Sequence, residues 1–300
     1  MALPVVLGTA LSASMEMAQV FVPGRVSSIV DLVDNIAGCC LGVIAALLFT
    51  RGIKVPAGWP ALWIRDRASA ALLFCWIAFL VFPLFPVLSL PEWKSKFLAL
   101  ISGPIDPLQL LLSAAEWFAA GHLLMMAGVK SPVRLLLAML ALVPLQVIIA
   151  DRNPMPADLM GAAAGATLFY AFARMPLAPG AAGVLLLIAL TLRGLAPFYF
   201  SHSEKPFSWI PFVGFFGFAR KDAIPVLLSK SFQYGSSIWL LCNSGYGIVR
   251  VTVSVTLLLS GIEALQMRVP GHVPEITDPL LAIGAGVVLA SLREYRRPRN

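Results

Sequence analysis

The residues best suited to chemistry in this sequence are polar side chains set into apolar segments near the N-terminus. They combine carboxylates, amides and a guanidinium: Glu16, Gln19, Arg25, Asp31, Asp34 and Asn35. An ionisable side chain at membrane depth is costly unless it is paired or hydrated, so such residues indicate a functional site by default. The planar fork of Arg25 suits a carboxylate or a phosphate. The set therefore predicts a small polar pocket that binds an anion.

Two neighbouring helices must position these side chains. Glu16 and Gln19 are three residues apart and share one helix face, and the Pro23-Gly24 pair then ends the helix. At 1.5 Å per residue, Glu16 lies about 10 Å from that turn along the first helix. Asp34 lies at a similar depth on the returning helix. The two helices therefore bring both acids to one level of the membrane.

The same residues allow two other interpretations. Polar side chains often hold membrane helices together, so Glu16, Gln19, Arg25 and Asp31 also fit a clasp that fixes one helix pair. Alternatively, Glu16 or Asp34 exchanges a proton, as in a proton-coupled transporter or an intramembrane enzyme. All three interpretations stay open at this level.

Composition places these residues in a membrane protein. Of the 300 residues, 59% are hydrophobic and 12% are charged, against roughly 25% charged in an average soluble protein. Apolar runs of about 20 residues, the length that crosses a bilayer, predict an all-α polytopic transmembrane helical bundle of about ten spans. The predicted spans cover residues 5–21, 29–50, 68–90, 107–129, 132–150, 156–174, 181–200, 223–243, 247–267 and 277–292. This composition excludes a water-soluble globule.

The charge of +7 informs topology before it informs any partner, because Lys and Arg mark the cytoplasmic side of membrane proteins. The loops after even-numbered spans carry more of them, which predicts a multi-pass protein of the cell membrane with both termini cytoplasmic. Residues 293–300 form a basic cytoplasmic tail. Nucleic acid is not an expected partner. No metal-ligand or cofactor motif occurs in the sequence, so we expect no cofactor and no metal.

A repeat organises the chain, and its anchors are polar. Three glutamines are each followed, six residues later, by a basic residue and, twelve residues later, by an aspartate: Gln19, Arg25 and Asp31; Gln146, Arg152 and Asp158; Gln266, His272 and Asp278. Repeats of domain size predict parallel helical units. We expect a half unit of two helices over 1–50 and a degenerate four-helix unit over 68–174. A second four-helix unit is expected over 181–292.

The copies differ in what they retain. The third keeps an acid before its glutamine and forms a secondary candidate site of Glu263, Gln266, His272 and Asp278. The second has Val143 in place of the acid and Gly161 in place of the deeper aspartate, so it is expected to be mainly structural. Gly161 and Gly165 have the small-xxx-small spacing that allows helices to approach closely.

The series Glu16, Gln19, Pro23, Gly24, Arg25, Asp31, Asp34, Asn35, Gly38 and Gly42 resembles the signature of VanZ-like membrane proteins. That family is named after a teicoplanin-resistance protein, and its usual unit has four helices with this motif across the last two. The resemblance covers the chain as two and a half tandem units. It implies a protein of the bacterial cell envelope, placed in the inner membrane.

The preferred functional expectation is a non-enzymatic envelope protein with an outward-facing polar pocket. Its partner would be a membrane lipid with an anionic headgroup or a lipid-linked glycan precursor, with Arg25 on the anion and Glu16 and Gln19 orienting it. The alternative is the proton-coupled transporter or intramembrane enzyme that uses Glu16 and Asp34. Glu116 is expected to be exposed or to join neighbouring helices. Lys230 is expected to extend its side chain along the helix toward water, that is, to snorkel.

Overall fold

The computed structural model describes residues 65–83, 85–202, 204–212 and 223–294, together with residues 8, 9, 14, 36 and 38. The chain divides into two compact units, Met1–Ala61 and Leu62–Asn300. All of the helices named below belong to the second unit. The helices of that unit are numbered from the first one described.

The described part of the second unit is helical, without a named strand. Its helices are α1 (Arg67–Val81), α2 (Leu90–Ser102), α3 (Pro107–Met126), α4 (Pro132–Met139), α5 (Leu142–Leu145), α6 (Pro156–Phe172), α7 (Ala178–Leu195), α8 (Ala223–Asn243), α9 (Ile248–Gln266) and α10 (Thr277–Glu294). A short 3₁₀ turn, Gln146–Ile148, follows α5. Helices thus lie at each predicted span from residue 68 onward. The first two predicted spans lie outside the described residues.

The span predicted over 132–150 is broken, and a proline explains the break. Pro144 has no backbone N–H, and its ring collides with the carbonyl four residues earlier in a regular helix. The chain therefore passes from α4 through the short helix α5 into the 3₁₀ turn. This irregular passage carries Gln146 to the end of the bundle where the following loop begins.

Helix α2 was not predicted. Its sequence begins with Leu90-Pro91 and alternates apolar with charged residues, which is why it failed the test for an apolar span. Lys96 bridges it to the rest of the unit, because its Nζ donates to the carbonyl of Ile149 at 3.0 Å. Lys96 also pairs with Glu92 at 3.0 Å.

Helix starts in this unit are fixed by aspartates. Asp106 caps α3 by accepting from the backbone N–H of Leu108 at 2.9 Å, and Pro107 occupies the first helical position. Asp158 lies in the first turn of α6 and accepts from the backbone N–H of Met155 at 2.8 Å. Both contacts satisfy amide groups that a helix leaves unpaired at its N-terminus.

Close packing joins α3 to α6, as the spacing of two glycines predicts. A Cβ on Gly161 would lie 2.6 Å from the carbonyl oxygen of Leu110, and a Cβ on Gly165 would lie 2.3 Å from that of Ala114. Glycine is therefore required at both positions for the two backbones to approach this closely. Helix α3 also packs against α7, α1 and α8, which makes it the centre of the unit.

Three described helices, α3, α7 and α9, are long and apolar enough to cross a membrane. Helix α3 is largely covered by its neighbours, whereas α7 and α9 expose apolar side chains such as Ile188, Val253 and Leu257. An exposed apolar surface of this kind is typical of helices that face lipid. The all-helical architecture and these helices are compatible with a membrane protein.

Candidate functional site

The first-copy site residues fall outside the described residues: Glu16, Gln19, Arg25, Asp31, Asp34 and Asn35. Their placement stays a prediction. The corresponding positions of the second copy are described, as is the whole secondary candidate site. These two copies show what the repeated polar positions do in this fold.

All three anchor residues of the second copy line one cavity. Gln146, Arg152 and Asp158 face a space of about 160 Å³ at the end of the bundle where α1 ends and α3 and α6 begin. A single water needs only about 10–15 Å³ of such space, so the cavity admits a larger polar group. The expectation that this copy is mainly structural did not include a cavity.

Arg152 is held rigidly at the rim of this cavity. Its Nε donates to the carbonyl of Phe82 at 2.9 Å, and a terminal nitrogen donates to the carbonyl of Phe79. The guanidinium carbon lies 4.5 Å from the centre of the Phe79 ring, within the range of a cation–π interaction. Arg152 therefore brings a fixed positive charge to the cavity while it satisfies the free carbonyls at the end of α1.

Asp158 is fixed by donors from three directions. Gln109 donates through Nε2 to one carboxylate oxygen at 2.6 Å, and the N–H of Met155 donates to the other at 2.8 Å. The hydroxyl of Ser113 donates to the backbone carbonyl of Asp158 at 3.0 Å. Arg193 of α7 in turn donates to the side-chain oxygen of Gln109. This chain of bonds connects α7, α3 and α6 at one wall of the cavity.

Glu116 also lines the cavity, one turn further into α3 than Ser113. It is buried, and its Oε1 accepts from Nε2 of Gln233 on α8 at 2.7 Å. The prediction that Glu116 joins helices is supported, and the alternative that it is exposed is wrong. Sequence reasoning missed its place in the site, although Gln109, Ser113 and Glu116 have the spacing of one helix face.

The secondary candidate site has a different arrangement, in which each residue binds a separate protein group. Oε2 of Glu263 accepts from the backbone N–H of Glu275 at 2.8 Å. Nε2 of Gln266 donates to the carbonyl of Gly194 at 2.9 Å. A ring nitrogen of His272 lies 2.7 Å from the carbonyl oxygen of Ala196. These contacts agree with the clasp interpretation for this copy.

Asp278, the fourth residue of that site, forms an ion pair with Lys230 of α8. Tyr234, one turn further along α8, also interacts with Asp278. Lys230 was expected to snorkel toward water; its side chain is partly exposed and pairs with this carboxylate in the first turn of α10. The pair joins α8 to the start of α10.

The second and third copies make corresponding hydrogen bonds. Gln146 donates to the carbonyl of Leu80 at 3.1 Å, as Gln266 does to that of Gly194. Two residues beyond each of these acceptors lies the carbonyl that contacts Arg152 or His272. Gln109 binds Asp158 from α3 as Lys230 binds Asp278 from α8. The polar anchors thus occupy matching roles in both halves of the unit.

Among the described residues, no three His, Cys, Asp or Glu side chains come close enough together to bind a metal ion. Comparisons of the chain with protein-family models, with curated proteins and with solved structures find no match.

Proposed function

We propose that this chain is a VanZ-like integral membrane protein of the bacterial cell envelope whose polar cavity binds an anionic lipid headgroup or a lipid-linked glycan precursor. The observation that carries the proposal is the convergence of Gln146, Arg152 and Asp158, three residues spaced along the sequence, on one cavity. A few polar groups that converge on one concave space can fix the orientation of a ligand, and the volume of about 160 Å³ limits that ligand to a small polar group.

The polar groups of the cavity suit a phosphate that also carries hydroxyl groups. Arg152 supplies a fixed positive charge, and Gln146 and Gln109 supply amides. Asp158 and Glu116 supply acceptors for hydroxyl groups. A headgroup with both an anion and donors, such as a glycerol phosphate or a sugar phosphate, matches this mixture. The proposed role is binding without catalysis.

We propose further that the second unit consists of two tandem four-helix repeats. The first is made of α1, α3, α4 continued by α5, and α6, with α2 as an additional helix, and the second is made of α7 to α10. The corresponding hydrogen bonds of Gln146 and Gln266 support this, as do those of Arg152 and His272. In this scheme the first repeat binds the headgroup, while the second uses the same positions to fix its helices.

The first-copy residues belong to the same proposal. Arg25 stands where Arg152 stands in the repeat, so it would bring its charge to an equivalent pocket beside Glu16 and Gln19. Arg25→Ala should then weaken lipid binding while the amount of folded protein in the membrane stays constant. An equal loss of lipid binding and of folded protein would instead favour the interpretation that these residues only hold the helix pair together. If Glu16→Gln abolished a pH-dependent activity, proton-coupled transport or intramembrane catalysis would replace the binding role.

The described cavity offers a cleaner test at its exposed rim. Asn153 lines the cavity and is exposed, so Asn153→Glu places a negative charge beside the headgroup with little effect on packing. Ser95→Glu on α2 is the matched control, because Ser95 is exposed and lies outside the cavity lining. Native mass spectrometry of the full chain with phosphatidylglycerol would measure the bound fraction.

We expect Asn153→Glu to lower phosphatidylglycerol binding by about tenfold, which corresponds to a like-charge penalty near 1.4 kcal/mol. Ser95→Glu should bind as the parent does. Because the effect is electrostatic, it should shrink as salt is raised. Equal binding by both variants at low salt would overturn the headgroup site.

A further inference from the structure

A second and larger cavity adjoins the polar one. Its volume is about 530 Å³, within the range of ligand pockets, and most of its walls are apolar side chains from the end of α1 and the start of α8, including Phe82, Phe85 and Val226. Phe85 is 62% exposed. The larger cavity is therefore open to the surroundings of the bundle at an apolar residue.

The two cavities meet at two residues. Phe79 and Arg152 line both of them. Arg152 lies over the Phe79 ring at 4.5 Å and is tied to the end of α1, so the boundary is fixed in place. The amides and the carboxylates of Asp158 and Glu116 line the smaller cavity. The larger cavity is lined mainly by aromatic and other apolar side chains, with Asp151 and Arg152 as its charged residues.

We propose that the two cavities form one site for a single amphiphile, whose phosphate lies beside Arg152 in the polar cavity and whose hydrocarbon chain lies in the apolar cavity. The inference rests on the proposed function and adds to it the second half of the ligand. A soluble sugar phosphate or a free anion would leave the apolar cavity unfilled. The ligand class is therefore a phosphate-bearing lipid with an acyl or polyprenyl chain.

The apolar cavity contributes to binding mainly by positioning the hydrocarbon chain, and less by removing it from water. Lipid tails are as apolar as the cavity walls, so moving a chain from bilayer to cavity gains little from the hydrophobic effect. The walls instead hold the chain where its headgroup meets Arg152, which reduces the freedom lost when the headgroup binds. A bulky side chain in the cavity should exclude the hydrocarbon chain without touching the polar groups.

Photo-crosslinking tests where the hydrocarbon chain of the lipid lies. The full-length protein in phosphatidylcholine nanodiscs is exposed to phosphatidylglycerol that carries a diazirine on its acyl chain, and labelled residues are mapped by mass spectrometry. A second arm uses a polyprenyl phosphate with a diazirine in its chain. We expect labelling to concentrate on residues 82, 83, 85, 225 and 226 in at least one arm, and the more strongly labelling lipid identifies the source of the hydrocarbon chain.

Val226→Trp fills the apolar cavity and should reduce this labelling at least fivefold. Val249→Trp is the matched control, since Val249 lies on α9 with 72% of its surface exposed, and it should label as the parent does. Should Val226→Trp fail to fold, Phe85→Ala serves instead, because removing an exposed ring at the cavity edge should weaken labelling there.

The outcomes separate this inference from the proposed function. If labelling spreads evenly over exposed apolar positions and does not respond to Val226→Trp or Phe85→Ala, the proposed site for the hydrocarbon chain is wrong. This holds whatever effect Asn153→Glu has on phosphatidylglycerol binding. In that case an effect of Asn153→Glu on binding still supports the headgroup site. If Asn153→Glu has no effect on binding, the headgroup site itself is wrong.

Discussion

Replacement of Gly165 by alanine should separate α3 from α6 and so disturb the polar cavity. The added Cβ would lie 2.3 Å from the carbonyl oxygen of Ala114 and 2.7 Å from the Cβ of Trp117. Ordinary contact begins near 3.4 Å, so the helices must move apart by about 1 Å. Overpacking of this kind costs about 1–3 kcal/mol, which is roughly a 5- to 150-fold change in the unfolding equilibrium.

The matched control is Gly284→Ala on α10, where an added Cβ meets no atom within 4 Å. Alanine is favoured over glycine inside a helix by up to about 1 kcal/mol, so this variant should be unchanged or slightly more stable. Reversible unfolding of both purified variants in mixed detergent micelles, titrated with a denaturing detergent, gives the comparison.

Gly165→Ala should also weaken lipid binding. The shift that relieves the Cβ contact pulls α6 away from α3, and the bond between Gln109 and Asp158 at 2.6 Å spans that same interface. Gly284→Ala should bind lipid as the parent does. Were Gly165→Ala as stable as Gly284→Ala, the close approach of α3 and α6 would be refuted, together with the argument that the glycines set the cavity wall.

Two further predictions concern polar pairs that join helices. Gln233→Leu removes the donor to Glu116 and should lower the free energy of unfolding by about 1–3 kcal/mol, because a buried acceptor loses its partner; Glu116→Leu in the same chain should restore most of it, and a double variant no more stable than Gln233→Leu would contradict the pairing. Lys230→Met removes the ion pair with Asp278 and should lower the free energy of unfolding by about 1 kcal/mol, because both side chains are partly exposed and solvent screens the pair. Adding Asp278→Leu should recover stability by thermal unfolding, whereas additive losses would show that the two residues act independently.

Much of the helical framework follows from the sequence because apolar runs and Pro or Gly boundaries are local signals. Helix α8 begins and ends where its predicted span does, and α3 and α6 begin at their predicted positions. The break before Gln146 and the charged helix α2 depart from that rule. Pro144 interrupts an otherwise apolar run, and α2 is too polar to be counted as a span.

The candidate site was predictable in part. The repeat spacing marks Gln146, Arg152 and Asp158 as related positions, and the structure places them on one cavity. Their partners were not predictable, because Arg152 binds backbone carbonyls more than 60 residues away in sequence. Glu116 was noticed as an acid within a span, but its bond to Gln233 crosses 117 positions. Side-chain spacing within one helix carries no information about such distant contacts.

The bond between Glu116 and Gln233 also bears on how this chain has been able to change. Glu116 belongs to the half of the molecule that holds the cavity, and Gln233 to the half that follows it. Either half, if parted from the other, would carry a bare polar group into hydrocarbon, where such groups are costly. Changes at Glu116 and at Gln233 are therefore expected to be linked, because either change alone leaves a buried polar group without its hydrogen-bond partner.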